Sequence, residues 1–347
     1  MNRPLVLFIK VYAWHGPMLD RVLPLLPAEM DVLSIDGRSL DEGWRPEKSP
    51  ALVVLADAGA IRHLRPAFPG ALFLHVGHGL ISKNETGYHY HQADYICVAS
   101  DAAADRLLQR GHVPRKAYLA TGLVQMDPLF SAGETADMLR VPEVPVSILY
   151  APTWNPSLSS AMMFGTTLVT AIRGNDDRIG LVIKPHPHTA VAHPEWIAMW
   201  RQLALDGPNV MLTDPQSDLV PAMLGADLMI SDASSAMFQF LALNRPMILV
   251  DNPQRLSAPG CFDPAGIEWR WRDIGVRVQD AGEVASAVRD ALQTPESPLQ
   301  QSLQAERQRR RTELFGSLTD GRAAERVASA IQKIIVAASG KSGKCWP

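Results

Sequence analysis

Short apolar runs recur along this chain with room for a helix between successive ones. In the first half they are Leu5–Ile9, Asp31–Ile35, Leu52–Leu55, Leu72–Val76 and Tyr95–Val98. A second series follows at Val146–Tyr150, Gly180–Ile183, Val210–Leu212, Leu228–Ile230 and Met247–Val250. Runs this short, separated by helical periodicity, predict buried strands of parallel sheets joined by helical crossovers. The helical patterns are Ala102–Arg110, which stops at Gly111, then Met163–Arg173, Ser217–Leu224, Ser234–Leu243 and Gly282–Leu292. Beyond Pro298, the charged stretches Leu299–Phe315 and Arg322–Ala338 read as closing helices, with Glu306–Arg311 as a solvated face.

The segment Val141–Pro145 is proline-rich and lacks periodicity, which makes it the linker candidate. The expected architecture is α/β, with two Rossmann-like domains facing a cleft and C-terminal closing helices. Residues 1–142 form the first domain and 143–320 the second. A closing helix, 321–338, returns to the first domain, and 339–347 is a flexible tail. No repeat of solenoid period is present.

A chain of 347 residues can bury two cores, and 47% hydrophobic with 20% charged residues is ordinary for a globular protein. The formal charge of −3 argues against nucleic acid as a partner. Cys97, Cys261 and Cys345 lack metal-ligand spacing, and one is left over from any pairing, so reduced thiols in the cytoplasm are expected. No stretch approaches the roughly 18 uninterrupted apolar residues of a membrane span, which leaves peripheral contact as the only membrane association expected.

Ligands of open α/β sheets sit beyond the C-terminal ends of the strands. Three strands of the second half end in polar clusters: Ala151-Pro-Thr-Trp-Asn155, Lys184-Pro-His-Pro-His188 and Ser231-Asp-Ala-Ser-Ser235. Prolines 152, 185 and 187 fix φ and hold Thr153, Lys184 and His186 at the strand mouths. Lys184, His186, Asp232, Ser234 and Ser235 together suit an anionic, phosphate-bearing ligand, with a helix start near Ser234 adding backbone donors. The bland alternative for the serines is an N-cap.

In the first half, Gly77 and Gly79 flank His78, exposing an imidazole that can take a proton from an alcohol; His75, on the strand, is expected to be buried. The pairs His89/His91 and His186/His188 lack a completing carboxylate or thiolate, so no metal and no cofactor are expected.

Taken together, the motifs resemble the CDP-glycerol glycerophosphotransferase family, which makes teichoic-acid-type polymers. The matching pieces are His78-Gly79 with Lys83, Ala93–Asp101, Thr121-Gly-Leu123 with Asp127, Leu149–Trp154, Ile183–Pro187, Ala226–Ser235, Arg245-Pro246 and Asp320-Gly321. The resemblance implies a GT-B fold, with the acceptor side (Gly79, Lys83) in the first domain and the CDP-linked donor in the second. It implies His78 as the acceptor-activating base, His186 at the pyrophosphate, and Ser234 and Ser235 at phosphate.

The implied reaction moves a glycerol-phosphate or similar polyol-phosphate to a hydroxyl of a lipid-linked or glycan acceptor and releases CMP. The implied place is the inner face of the plasma membrane. Asn155 and Gln239 depart from the family's usual Arg and Asp. The rival readings are a GT-B nucleotide-sugar glycosyltransferase or UDP-sugar 2-epimerase relative, and a non-catalytic nucleotide-binding protein.

Overall fold

The computed structural model describes residues 3–77, 90–131, 137–258 and 261–340. Its first sheet holds β1 (Leu5–Lys10), β2 (Asp31–Asp36), β3 (Leu52–Leu55), β4 (Leu72–His75), β5 (Tyr95–Val98) and β6 (Ala117–Ala120), ordered β2-β1-β3-β4-β5-β6. Its second holds β7 (Val146–Ala151), β8 (Ile179–Ile183), β9 (Val210–Leu212), β10 (Leu228–Ser231), β11 (Met247–Val250) and β12 (Val276–Val278), ordered β12-β11-β10-β7-β8-β9. All described pairings are parallel. Helices cover both faces of such sheets, which is why β3, β8 and β11 are buried along their whole length.

Strand order locates the functional edge. In the second sheet the chain builds β7, β8 and β9 outward on one side, then crosses to build β10, β11 and β12 on the other. The order therefore reverses between β7 and β10, the arrangement of dinucleotide-binding sheets. In the first sheet the reversal lies between β1 and β3.

The described chain divides into two compact units. One gathers residues up to 77, 90–131 and 313–340, and the other residues 137–312. Val141 is buried against Gly180, where any Cβ would come within 2.5 Å of it. In the first unit, helix Ala323–Ala338 presents Ala324, Val327, Ala328, Ile331, Ile334 and Ile335 to the core beside Val6, Phe8 and Leu74. Those positions follow helical spacing, so one stripe of the helix is apolar. Its first turn is capped from a distance: Asp127 Oδ1 and Oδ2 accept the N–H groups of Ala323 and Ala324, both at 2.8 Å. Burial raises the Asp127 pKa, and the two backbone donors oppose that shift.

Several elements differ from expectation. The Met163–Arg173 pattern is two helices, Ala161–Phe164 and Leu168–Arg173, because the backbone reverses at Gly165 with φ 51°. The Ser234–Leu243 pattern is a five-residue helix, Ala236–Phe240, and a 3-10 turn, Leu241–Leu243, ended by left-handed Asn244. The helix Pro194–Asp206 and the edge strands β6 and β12 were not anticipated.

Glu306–Arg311 is not a solvated face. Within helix Pro298–Phe315, Arg307 is buried and donates to Ile274 O at 3.3 Å, and desolvation lowers its pKa to about 10. Arg310 pairs with Asp273 at 2.8 Å and stacks on Trp271, and Arg311 donates to Ala242 O. These arginines dock the helix on the second unit. The helix ends in the described residues at Phe315; of the expected tail, residues 341–347 lie outside the described residues. Among the described residues no helix is long and apolar enough to cross a membrane.

Candidate active site

One carboxylate ties the two strand exits of the second sheet together. Asp232, fully buried, follows β10. Its Oδ1 accepts the backbone N–H of Thr153 at 2.8 Å and of Ala233 at 2.7 Å. Its Oδ2 accepts the N–H of Ser160 at 2.8 Å and the Ser160 hydroxyl at 2.9 Å. Thr153 follows β7, so the Thr153–Asp232 bond spans the reversal of strand order. Tyr150, on β7, donates to Ser160 Oγ at 2.9 Å. Burial first, then the Asp232 charge, raises the Tyr150 pKa well above its ordinary value, which keeps the phenol a donor. A charged acceptor with four donors gives a rigid mouth.

A buried ion pair extends this frame to β11. Arg272 donates to the backbone carbonyl of Asp232 at 2.7 Å, to Val250 O at 3.0 Å, and to the carboxylate of Asp251. Arg277 holds the other oxygen of Asp251 at 2.7 Å. Asn252 donates to Ser159 O at 2.7 Å and Pro156 O at 3.2 Å, binding the β11 exit to the loop after β7. Sequence reasoning missed Ser160, Asp251 and Arg272. Asp251-Asn252-Pro253 is another polar cluster at a strand end, and the same rule applied to β11 finds it.

The remaining expected residues take distinct places. Thr153 is buried on the β7 exit. Trp154, on the same loop, packs its ring 5.7 Å from that of His188 and 6.5 Å from that of His186. The two imidazoles lie 5.2 Å apart, and His186 Nδ1 accepts the His188 N–H at 3.2 Å. With Nδ1 an acceptor, neutral His186 carries its proton on Nε2.

Ser234 is buried, and its Oγ accepts the Ala236 N–H at 3.3 Å; Ser235 is half-buried and makes no capping bond. Since the following helix has five residues, its dipole is that of little more than one turn. Gln239, one turn on, is buried, and its Oε1 has no hydrogen-bond partner among the described residues. Asn155 closes its own loop, with Oδ1 accepting the Ser157 N–H and Nδ2 donating to Cys261 Sγ. Arg245 holds the carbonyls of Leu224 and Ala226 and is a structural staple.

Lys184 is buried and donates to Pro185 O at 3.2 Å and Pro215 O at 2.9 Å, stitching the loops after β8 and β9. Desolvation pushes its pKa down to about 8, opposed by Asp214 and Asp218. Below pH 8 folded and unfolded chains both carry the ammonium, and its burial penalty is present in full. Between about 8 and 10.5 the unfolded chain binds more protons, so stability rises with pH. Urea midpoints from pH 7.5 to 9.5 are expected to climb for the wild type relative to Lys184→Met. Parallel curves for the two proteins would contradict this assignment.

In the first unit, His75 ends β4, buried as expected, with Nε2 3.2 Å from Ala56 O. Gly77 has φ 78°, a conformation that favours glycine, immediately before His78. His78, Gly79, Lys83 and His89 lie outside the described residues. Among the described residues no three His, Cys, Asp or Glu side chains gather where they could hold a metal ion.

Fold and strand order define a two-unit α/β protein with a nucleotide-type crevice in its second sheet. The model of the family CDP-glycerol:poly(glycerophosphate) glycerophosphotransferase matches residues 74–255, and the chain belongs to that family. It is a transferase of the glycerophosphotransferase type. No curated protein matches it in sequence.

Among solved structures, a variant of the wall teichoic acid polymerase TagF is 14% identical, with 98% of this chain and 91% of that one covered at a TM-score of 0.71. TagF soaked with CDPG is 16% identical, over 96% and 89% of the two chains, at 0.68. A structure described as a UDP-N-acetylglucosamine 2-epimerase from Listeria monocytogenes is 14% identical, over 96% and 97%, at 0.60. These likenesses establish the fold, which is of the GT-B type.

Proposed function

We propose that the protein transfers glycerol-phosphate, or a similar polyol-phosphate, from a CDP-linked donor to an acceptor hydroxyl and releases CMP. The observation that carries this reading is the Asp232-tied crevice between β7 and β10, in a chain whose family uses CDP-glycerol. The donor's pyrophosphate lies over the exits of β7, β8 and β10, within reach of Thr153, His186, Ser234 and Ser235. Asp232 serves by positioning the mouth, since its own oxygens are occupied by protein donors. Lys184 contributes positive potential from below the loop.

The acceptor oxygen attacks the polyol-bearing phosphorus in line, forming one P–O bond as the bond to the bridging oxygen breaks. His78 takes the hydroxyl proton, and CMP leaves with the bridging oxygen. Charge building on that oxygen is met by the Nε2–H of His186 and the serine hydroxyls. A lipid-linked or glycan acceptor, and a peripheral place at the inner membrane face, follow from the same reading.

CMP is expected to raise the melting temperature more than UMP at equal concentration. At about 100 times its Kd a ligand adds roughly 2.7 kcal/mol of stability. Thermal-shift titrations test this. Equal responses to the two nucleotides would remove the support for a cytidine-linked donor.

A further inference from the structure

We propose that the mouth of the first sheet binds a neutral sugar ring against the paired aromatic side chains of Tyr12 and Trp14. The order of this sheet reverses between β1 and β3, so its ligand crevice lies where those strands exit. From β1 the chain runs out through Tyr12, Trp14 and His15, and from β3 through Ala56 and Asp57. The Tyr12 and Trp14 rings are stacked within 5° of parallel, with centroids 4.3 Å apart. The fully buried ring of His15 stands edge-on to both, at 5.3 and 5.6 Å. The pair is therefore a supported platform. Yet it is not core: Tyr12 is 36% exposed and Trp14 half-buried.

The polar groups beside the platform define the ligand. The Asp57 carboxylate acts on the Tyr12 hydroxyl, and its Oδ1 accepts the Ala60 N–H at 3.2 Å to cap the helix Ala58–Leu64. Burial and the Asp57 charge raise the Tyr12 pKa, so the phenol keeps its proton. Lys10, at the end of β1, is neutralised by Asp20 at 2.7 Å. With Lys10 paired in this way, the Asp57 carboxylate repels phosphate. It suits a ring with an apolar C–H face for the aromatics and hydroxyls for the carboxylate. That this sugar belongs to the acceptor rests on the transferase reading; the binding itself does not.

The test uses the full chain and methyl glycosides of glucose, galactose and N-acetylglucosamine, with adenosine and cytidine as base-bearing controls. Saturation-transfer NMR should show at least one glycoside bound through its ring C–H protons. Trp14→Ala should weaken that binding by about tenfold or more, the scale of one lost aromatic contact. Trp14→Phe, which keeps a ring in place, should retain most of it and serves if the alanine variant folds poorly.

The proposal is overturned if no glycoside binds, if Trp14→Ala binds as well as the wild type, or if the nucleosides occupy the platform in preference to sugars. CMP titrated into the same samples separates the two readings. A normal CMP response without glycoside binding removes this inference alone, and the converse removes the donor assignment alone.

Discussion

His78→Ala is expected to lower CMP release in the presence of acceptor by about 10²–10⁴-fold, the usual loss on removing a general base. Affinity for CMP is expected to stay within a factor of about two, because the donor crevice belongs to another sheet. His75 is buried against the Ala56 carbonyl, and Gly77 turns the chain with φ 78° directly before His78. An imidazole flanked by two glycines can be approached closely by an alcohol.

His186→Ala offers the contrast. That imidazole belongs to the loop after β8, so its loss should weaken donor binding as well as turnover. Calorimetric titration of CMP with parallel product assays distinguishes the two patterns. Full activity in His78→Ala would discard the base assignment and leave the family and fold untouched.

The interior strands were legible because continuous apolar runs result: β3, β5 and β11 begin and end where the runs do. The edges were not. The Ala-Tyr-Leu-Ala of β6 is half-buried throughout, and the central residue of β12 is Arg277, turned to Asp251. Helix Pro194–Asp206 did leave a signal, with Pro at its first turn and Trp196, Ile197 and Trp200 on one buried face.

Legibility at the candidate site had the same limit in another form. Polar clusters at strand ends can be read from sequence, but partners cannot. Asp232 looks like a helix-capping residue, yet its partners Ser160 and Thr153 lie 72 and 79 positions away. Lys184 looks like a free phosphate ligand, yet it bonds the Pro215 carbonyl, 31 positions away, which only the folded loops bring near. The arginines of 307–311 read as solvated because periodicity does not reveal that Asp273, Trp271 and the carbonyl of Ile274 wait on the other side.

Asp232→Ala should be the most destabilising substitution at the mouth of the second sheet. It removes the acceptor of three backbone N–H groups and one hydroxyl in a site with no exposure. Each buried donor left unsatisfied costs about 1–3 kcal/mol, less whatever relaxation or entering water recovers. Breaking a buried charged network at one partner typically costs about 3–5 kcal/mol, the range expected here. For a unit of this size one kcal/mol moves the melting temperature by roughly 2–4 °C, so a fall of about 10 °C is expected.

Asp232→Asn separates charge from shape. Its carbonyl oxygen can replace one carboxylate oxygen, but its NH₂ then faces N–H donors at the other. The loss should be intermediate, and CMP affinity should fall in the protein that remains folded. Ser234→Ala is the control, since a lost capping bond costs only about 1 kcal/mol. Calorimetric melting of the three variants, with CMP titrated below the transition, measures both effects. If Asp232→Ala melts no lower than Ser234→Ala, Asp232 does not organise the mouth. If Asp232→Asn binds CMP like the wild type, the crevice between β7 and β10 is not where the nucleotide sits.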